Sequence, residues 1–177
     1  MSNQGRKKNL FLTGMMGAGK TTVGKRLAAI LDYSFIDTDQ VIEQRLSRSV
    51  TEVFTELGEK YWRDQERRLL QEIVTAERQV IAVGGGMLLP QANSDLAIVN
   101  GLVIYLHASV EELAQRLENN SGRPLLTGTN PQTRLNKIYQ ARKDHYRSVT
   151  HRIDTTEIDP EETARQVAVM YKEWLSQ

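Results

Sequence analysis

The sequence predicts an α/β fold, a mostly parallel sheet covered by helices on both faces. Short apolar runs rich in β-formers alternate with longer stretches in which apolar residues recur at helical spacing, the pattern of strand–helix–strand units. Three of the apolar runs end on residues with chemical character, at Thr13-Gly14, at Asp37-Thr38-Asp39 and at Gly84-Gly85-Gly86. In open parallel sheets ligands sit off the carboxyl ends of the strands, so three such ends predict one site. No repeat or linker divides the 177 residues, and a single domain over residues 1–177 is expected, long enough to bury a core without disulfides.

The first strand is Leu10-Phe11-Leu12-Thr13. Residues 20–31 follow as a helix with Val23, Leu27, Ala28 and Leu31 on one face. Ser34-Phe35-Ile36 reads as a buried strand, and Val41, Ile42 and Leu46 as the next helix. Ser49 with Glu52 forms a capping box that opens a short helix through Leu57, and Gly58 is placed to end it. Trp62, Leu69, Leu70, Ile73 and Val74 keep helical spacing across 59–76, and Val80-Ile81-Ala82-Val83 is the third strand.

Pro90 suits the start of a short helix to about 99. Leu102-Val103-Ile104-Tyr105-Leu106 is the clearest strand in the chain. Ser109 and Glu112 make a second capping box, and its helix reaches about 118. Residues 119–130 are polar and have the length of a lid. Pro131 opens a helix to about Tyr146, and Arg152-Ile153-Asp154 is a weak fifth strand. Asp159 and Pro160 start the last helix, with Ala164, Val167, Ala168, Tyr171 and Leu175 inward.

Composition narrows the function classes. A net charge of +1 lends no support to nucleic-acid binding. The absence of cysteine excludes disulfide frameworks and thiolate metal sites. The amino terminus is polar and no apolar run approaches the ~18 residues of a membrane span, so a cytoplasmic chain without membrane contact is expected. Near-zero charge and no exposed apolar stripe make a monomer the default.

Chemistry concentrates at the strand ends. Gly14-Met15-Met16-Gly17-Ala18-Gly19-Lys20-Thr21-Thr22 fits the phosphate-binding pattern G-x-x-x-x-G-K-[ST]. Glycines let backbone N–H groups close around phosphate oxygens, and the following helix presents its own N–H groups and positive dipole end. Lys20 adds a point charge for the β- and γ-phosphates, and the Thr21 hydroxyl can ligate Mg²⁺. Asp37 and Asp39 could be a solvated turn and helix cap, or could divide the work of metal binding and of orienting an attacking hydroxyl.

Arg63 and Glu66 are spaced to pair on a helix. A surface ion pair is the simpler reading of that spacing, and a guanidinium aimed at a substrate anion the richer one. Three glycines in a row surrender backbone entropy with no local return, which close approach of a ligand would explain. Arg116 and Arg123 flank the lid-like loop and could neutralise phosphate charge on closure, or be incidental solvated residues; Arg142 is one basic residue among many.

Taken together, the phosphate loop, Asp-x-Asp, Trp62-Arg63-x-x-Glu66, Gly84-Gly85-Gly86, Arg123-Pro124-Leu125-Leu126 and Arg142-x-x-x-Tyr146 resemble the shikimate kinases, in order and from about residue 10 to the last helix. The resemblance implies a three-layer P-loop kinase fold with a five-stranded parallel sheet of order 2-3-1-4-5, substrate-binding helices over about 38–76 and a lid over about 119–130. It implies transfer of the γ-phosphoryl of ATP to the 3-hydroxyl of shikimate, with Mg²⁺. Gly14, Met15, Gly17, Ala18, Gly19, Lys20, Thr21 and Thr22 would then hold ATP, joined by Arg116 near the adenine and Arg123 on the phosphates. Asp37 would reach Mg²⁺ through water, and Asp39 would act as base. Arg63 and Arg142 would clamp the shikimate carboxylate, Glu66 would orient Arg63, and Gly84, Gly85 and Gly86 would line the substrate. Trp62 stands where the family usually has phenylalanine, a modest repacking of the pocket wall; the segment at 155–160 matches too loosely to assign contacts. The alternatives are a gluconate or nucleoside-monophosphate kinase, or a nucleotide-dependent switch. The switch is disfavoured because the third strand ends in glycines rather than in an aspartate.

Overall fold

A computed structural model describes residues 8–118 and 130–177. Its elements run β1 (Asn9–Thr13), α1 (Lys20–Leu31), β2 (Ser34–Asp37), α2 (Thr38–Leu46), α3 (Val50–Glu56), α4 (Gly58–Ile73), β3 (Gln79–Ala82), α5 (Gln91–Asn100), β4 (Gly101–His107), α6 (Val110–Glu118), α7 (Pro131–Ser148), β5 (His151–Asp154) and α8 (Pro160–Leu175). The five strands form one parallel sheet in the order β2-β3-β1-β4-β5, the order expected from the resemblance.

Successive residues of a strand face opposite sides of a sheet, and the core divides accordingly. Leu10, Leu12, Ile104 and Leu106 pack with Leu27 of α1 and Val167 and Tyr171 of α8. Phe11, Ile81 and Val103 turn the other way and pack with Trp62, Leu69 and Leu70 of α4. Central strands buried on both faces read as continuous apolar runs, and every residue of β1 and β3 is buried.

Two expectations need correction. Ser34 of β2 is exposed and its other residues are only partly covered, because β2 pairs with β3 alone and lies at the sheet edge. The capping box at Ser109 is half formed. The Ser109 hydroxyl accepts from the Glu112 N–H at 3.2 Å, but the Ser109 N–H donates to Thr156 Oγ1 and the Glu112 carboxylate accepts from Arg116 Nε at 2.7 Å. The box at Ser49 closes in both directions, and Gly58, at φ +83°, turns α3 directly into α4.

Gly101 marks where β4 starts against Asn9 of β1. A Cβ there would collide with the Asn9 carbonyl oxygen, a backbone atom fixed in the sheet. Gly101→Ala is therefore expected to lower unfolding free energy by about 2 kcal/mol, in line with overpacked core sites; a denaturant midpoint equal to that of the parent chain would contradict this.

Candidate active site

The sheet order places the carboxyl ends of β2, β3 and β1 side by side. Off β1, the chain turns through Gly14, Gly17 and Gly19 at φ +147°, +83° and +90°, values that side-chain-bearing residues rarely adopt. A Cβ on Gly14 would also strike the Leu106 carbonyl. The loop is anchored from below: Met15 and Ala18 are buried in the core, so Met15 is more than the tolerated loop residue its variable position suggests. Lys20 spans the loop, its Nζ donating to the carbonyls of Gly14 at 2.8 Å and Met15 at 3.0 Å. Because α1 starts at Lys20, its unpaired N–H groups face the same space.

Thr21 Oγ1 donates to Asp37 Oδ2 at 2.6 Å, and Asp37 Oδ1 accepts from the Gln40 N–H as the N-cap of α2. The cap reading of Asp37 therefore holds, and its other carboxylate oxygen is bonded to the threonine of the phosphate loop. Two residues on, Asp39 lies against Gly84 at the end of β3.

At that end the reason for the triple glycine is visible. A Cβ on Gly84 would run into Asp39 Oδ1 and lie 2.8 Å from Glu66 Oε1. One on Gly85 would lie 3.1 Å from Arg142 Nη1, and one on Gly86 would strike the Arg63 guanidinium, 2.6 Å from its Cζ. Each glycine leaves room for a different charge, delivered by α2, α4 and α7. Thr38 Oγ1 accepts from the Gly84 N–H at 2.8 Å, and Arg142 Nη1 donates to the Gly85 carbonyl at 2.9 Å. Thr38 was not singled out from sequence, although it lies inside the Asp37-Thr38-Asp39 stretch.

Arg63 and Glu66 are not the surface pair that spacing alone suggests. Glu66 is 1% exposed and accepts from Arg63 Nη1 at 2.7 Å. Glu59, one turn earlier and also missed although its spacing to Arg63 is legible, accepts from Arg63 Nη2 at 2.8 Å. Burial pushes the Glu66 carboxyl above its usual range; Arg63 opposes that push and the neighbouring charge of Asp39 adds to it. Burial alone would lower the Arg63 pKa, but Glu66 and Glu59 together hold it above its ordinary value. The aromatic at Trp62 is a buried core residue on the inner face of α4, tilted against Phe54 at 6.1 Å.

Arg116 is fixed rather than solvated. Its Nη2 donates to the Thr155 carbonyl at 2.5 Å and its Nη1 to that of Gly17 at 3.4 Å, so one guanidinium joins α6, the phosphate loop and the segment after β5. Thr155 is buried, and its N–H and hydroxyl both bond the His107 carbonyl. Only the sheet order brings these residues together, so local sequence carries no signal for them. Arg123 and residues 119–129 of the lid expected over about 119–130 lie outside the described residues, while Asn130 caps α7.

No helix among the described residues is long and apolar enough to cross a membrane. The shikimate kinase family model matches residues 16–172. The shikimate kinase of Thermodesulfovibrio yellowstonii is 38% identical over 165 residues, covering 93% of this chain and 95% of that protein. The shikimate kinase of Caldanaerobacter subterraneus subsp. tengcongensis is 37% identical over 164 residues, covering 93% and 96%. The solved shikimate kinase from Acinetobacter baumannii in complex with shikimate aligns with a TM-score of 0.88 at 32% identity, covering 96% of this chain and 95% of that one. With sheet order, strand-end motifs and near-complete coverage in agreement, the chain belongs to the shikimate kinase family.

Proposed function

We infer that the chain transfers the γ-phosphoryl group of ATP to the 3-hydroxyl of shikimate, giving shikimate 3-phosphate and ADP. The observation that carries this reading is the strip Gly84–Gly86, where two carboxylates and two guanidiniums meet beside a phosphate loop. A coupled ADP-release assay tests it: saturable turnover is expected with shikimate and not with gluconate or without an acceptor. ADP release indifferent to the acceptor would overturn it.

The chain's own residues account for the chemistry as positioning and charge stabilisation, the two demands of a loose phosphoryl-transfer transition state. The backbone N–H groups from Gly14 to Thr22 and the Lys20 ammonium hold the phosphates. Arg116, braced by Glu112 and Thr155, borders the adenine, and by resemblance Arg123 joins the phosphates. Asp39 accepts the hydroxyl proton and aims the oxygen in line with the γ-phosphorus. Arg63 and Arg142 receive the shikimate carboxylate, with Glu66 and Glu59 holding Arg63 in place. Thr21 Oγ1 and Asp37 Oδ2, 2.6 Å apart, are hard oxygen donors that suit Mg²⁺, Thr21 directly and Asp37 through water. When bound, that ion offsets phosphate charge. A monomer is sufficient for this site.

Asp39→Asn is expected to cut kcat by about 100-fold or more, the usual scale of general-base catalysis, with little change in either KM; a near-parental rate would place the base elsewhere. The glycine strip makes a sharper division. Gly84→Ala displaces Asp39 and crowds Glu66, and should lower kcat with a smaller rise in the KM for shikimate, whereas Gly86→Ala displaces the Arg63 guanidinium and should act mainly on that KM. Both are expected to keep ATP affinity, and loss of the two parameters in equal measure by both variants would contradict the assignment. The raised Glu66 pKa sets a sign as well. Acidification through it protonates the partner of Arg63, so the KM for shikimate should climb toward acid, and Glu66→Gln should abolish the climb and leave KM high throughout. An unchanged acid limb in Glu66→Gln would assign it to another group.

A further inference from the structure

Two donors converge on one carbonyl in the middle of the glycine strip. The oxygen of Gly85 accepts from Arg142 Nη1 at 2.9 Å and from the Tyr146 hydroxyl at 3.2 Å, which uses both of its lone pairs. Arg142 and Tyr146 stand four residues apart on α7 and so share a face. Tyr146 is 1% exposed, and its ring lies flat on that of Tyr105, with centroids 4.7 Å apart and planes 3° from parallel. Tyr105 belongs to the central part of β4 and is fixed at its far end, where its hydroxyl lies 2.9 Å from His107 Nδ1. The Tyr146 phenol therefore cannot slide along the strip or turn away from it. Burial raises its pKa, and Arg142 offsets that only in part, so it stays a donor at working pH.

We propose that Tyr146 is a positioning residue for the acceptor: its hydroxyl pins the Gly85 carbonyl, and through that carbonyl it fixes the Arg142 guanidinium for the substrate carboxylate. The proposal rests on the reading of Arg142 as half of the carboxylate clamp. An arginine has five N–H donors on a planar fork. Committing one of them to a fixed carbonyl narrows the orientations open to the rest of the fork. Without the phenol the Gly85 carbonyl keeps Arg142 as its one side-chain donor among the described residues, and the guanidinium bonded to it loses that constraint. Simple core packing makes a different demand, because it needs the ring and not the hydroxyl.

Tyr146→Phe separates the two, since it keeps the ring and the stack on Tyr105 and deletes only the donor. The expected result is a three- to tenfold rise in the KM for shikimate, the range that loss of one hydrogen bond covers. The KM for ATP and kcat should stay within about twofold, and Tm should fall by no more than about 4 °C. In an Arg142→Ala background, which by itself raises the KM for shikimate, the same change should add less than twofold. An unchanged KM for shikimate in Tyr146→Phe, equal rises for both substrates, or a full effect persisting beside Arg142→Ala would each overturn the proposal. If Arg142→Ala alone leaves the KM for shikimate unchanged, the clamp reading fails and takes the proposal with it, a failure distinguishable from the other three.

Discussion

The structure depends on how closely backbone can approach charge at the end of β3. Asp39 and Glu66 stand against Gly84, Arg142 against Gly85 and Arg63 against Gly86. Charges brought this close and partly out of water are costly unless each has a partner. Glu66, almost fully buried, has one in Arg63, and Arg63 is held a second time by Glu59. A Cβ at Gly84 or Gly86 would push a charged group out of line, and one at Gly85 would crowd the Arg142 guanidinium. The triple glycine thus trades backbone entropy for a charge arrangement that no side-chain-bearing residue would permit.

Parallel topology supplies the rest of the geometry. Because β3 lies between β2 and β1, the helix entered from β2 and the loop leaving β1 flank the glycine strip from opposite sides. α2 brings Asp39 from one side; Lys20 and Thr21 occupy the other. Thr21 and Asp37 close the gap between the two halves with one 2.6 Å hydrogen bond. Behind the phosphate loop Arg116 does similar work, tying α6 to Gly17 and to Thr155 beyond β5. The proposed donor and acceptor halves are each cross-braced by residues distant in sequence, and the sheet sets their separation.

What could be read in the sequence was what is local in physics. The helix at Lys20–Leu31, the closed capping box at Ser49 and the proline-initiated α8 follow from spacing and end residues, and the structure has them where those signals lie. The exposure of β2 was not legible, since it depends on which strand ends up at the edge. Arg63 and Glu66 were legible as a pair but not as a buried one, because burial comes from the packing of α4 over β3 and not from spacing. At Ser109 the local rule lost to a tertiary competitor: Glu112 holds Arg116 instead of the cap. The glycine strip was suspect from its entropy cost, but its reason comes from three helices converging on β3.

On the proposed function, the acceptor half of the site selects an anion through two guanidiniums, Arg63 held by Glu66 and Glu59, and Arg142 held by the Gly85 carbonyl. Calorimetric titration of the chain with shikimate and with its uncharged methyl ester tests this most directly. Two charge-assisted hydrogen bonds are together worth at least about 3 kcal/mol, so the ester is expected to bind on the order of 100-fold more weakly. Equal affinity for the two would mean that the guanidiniums do not read the carboxylate charge.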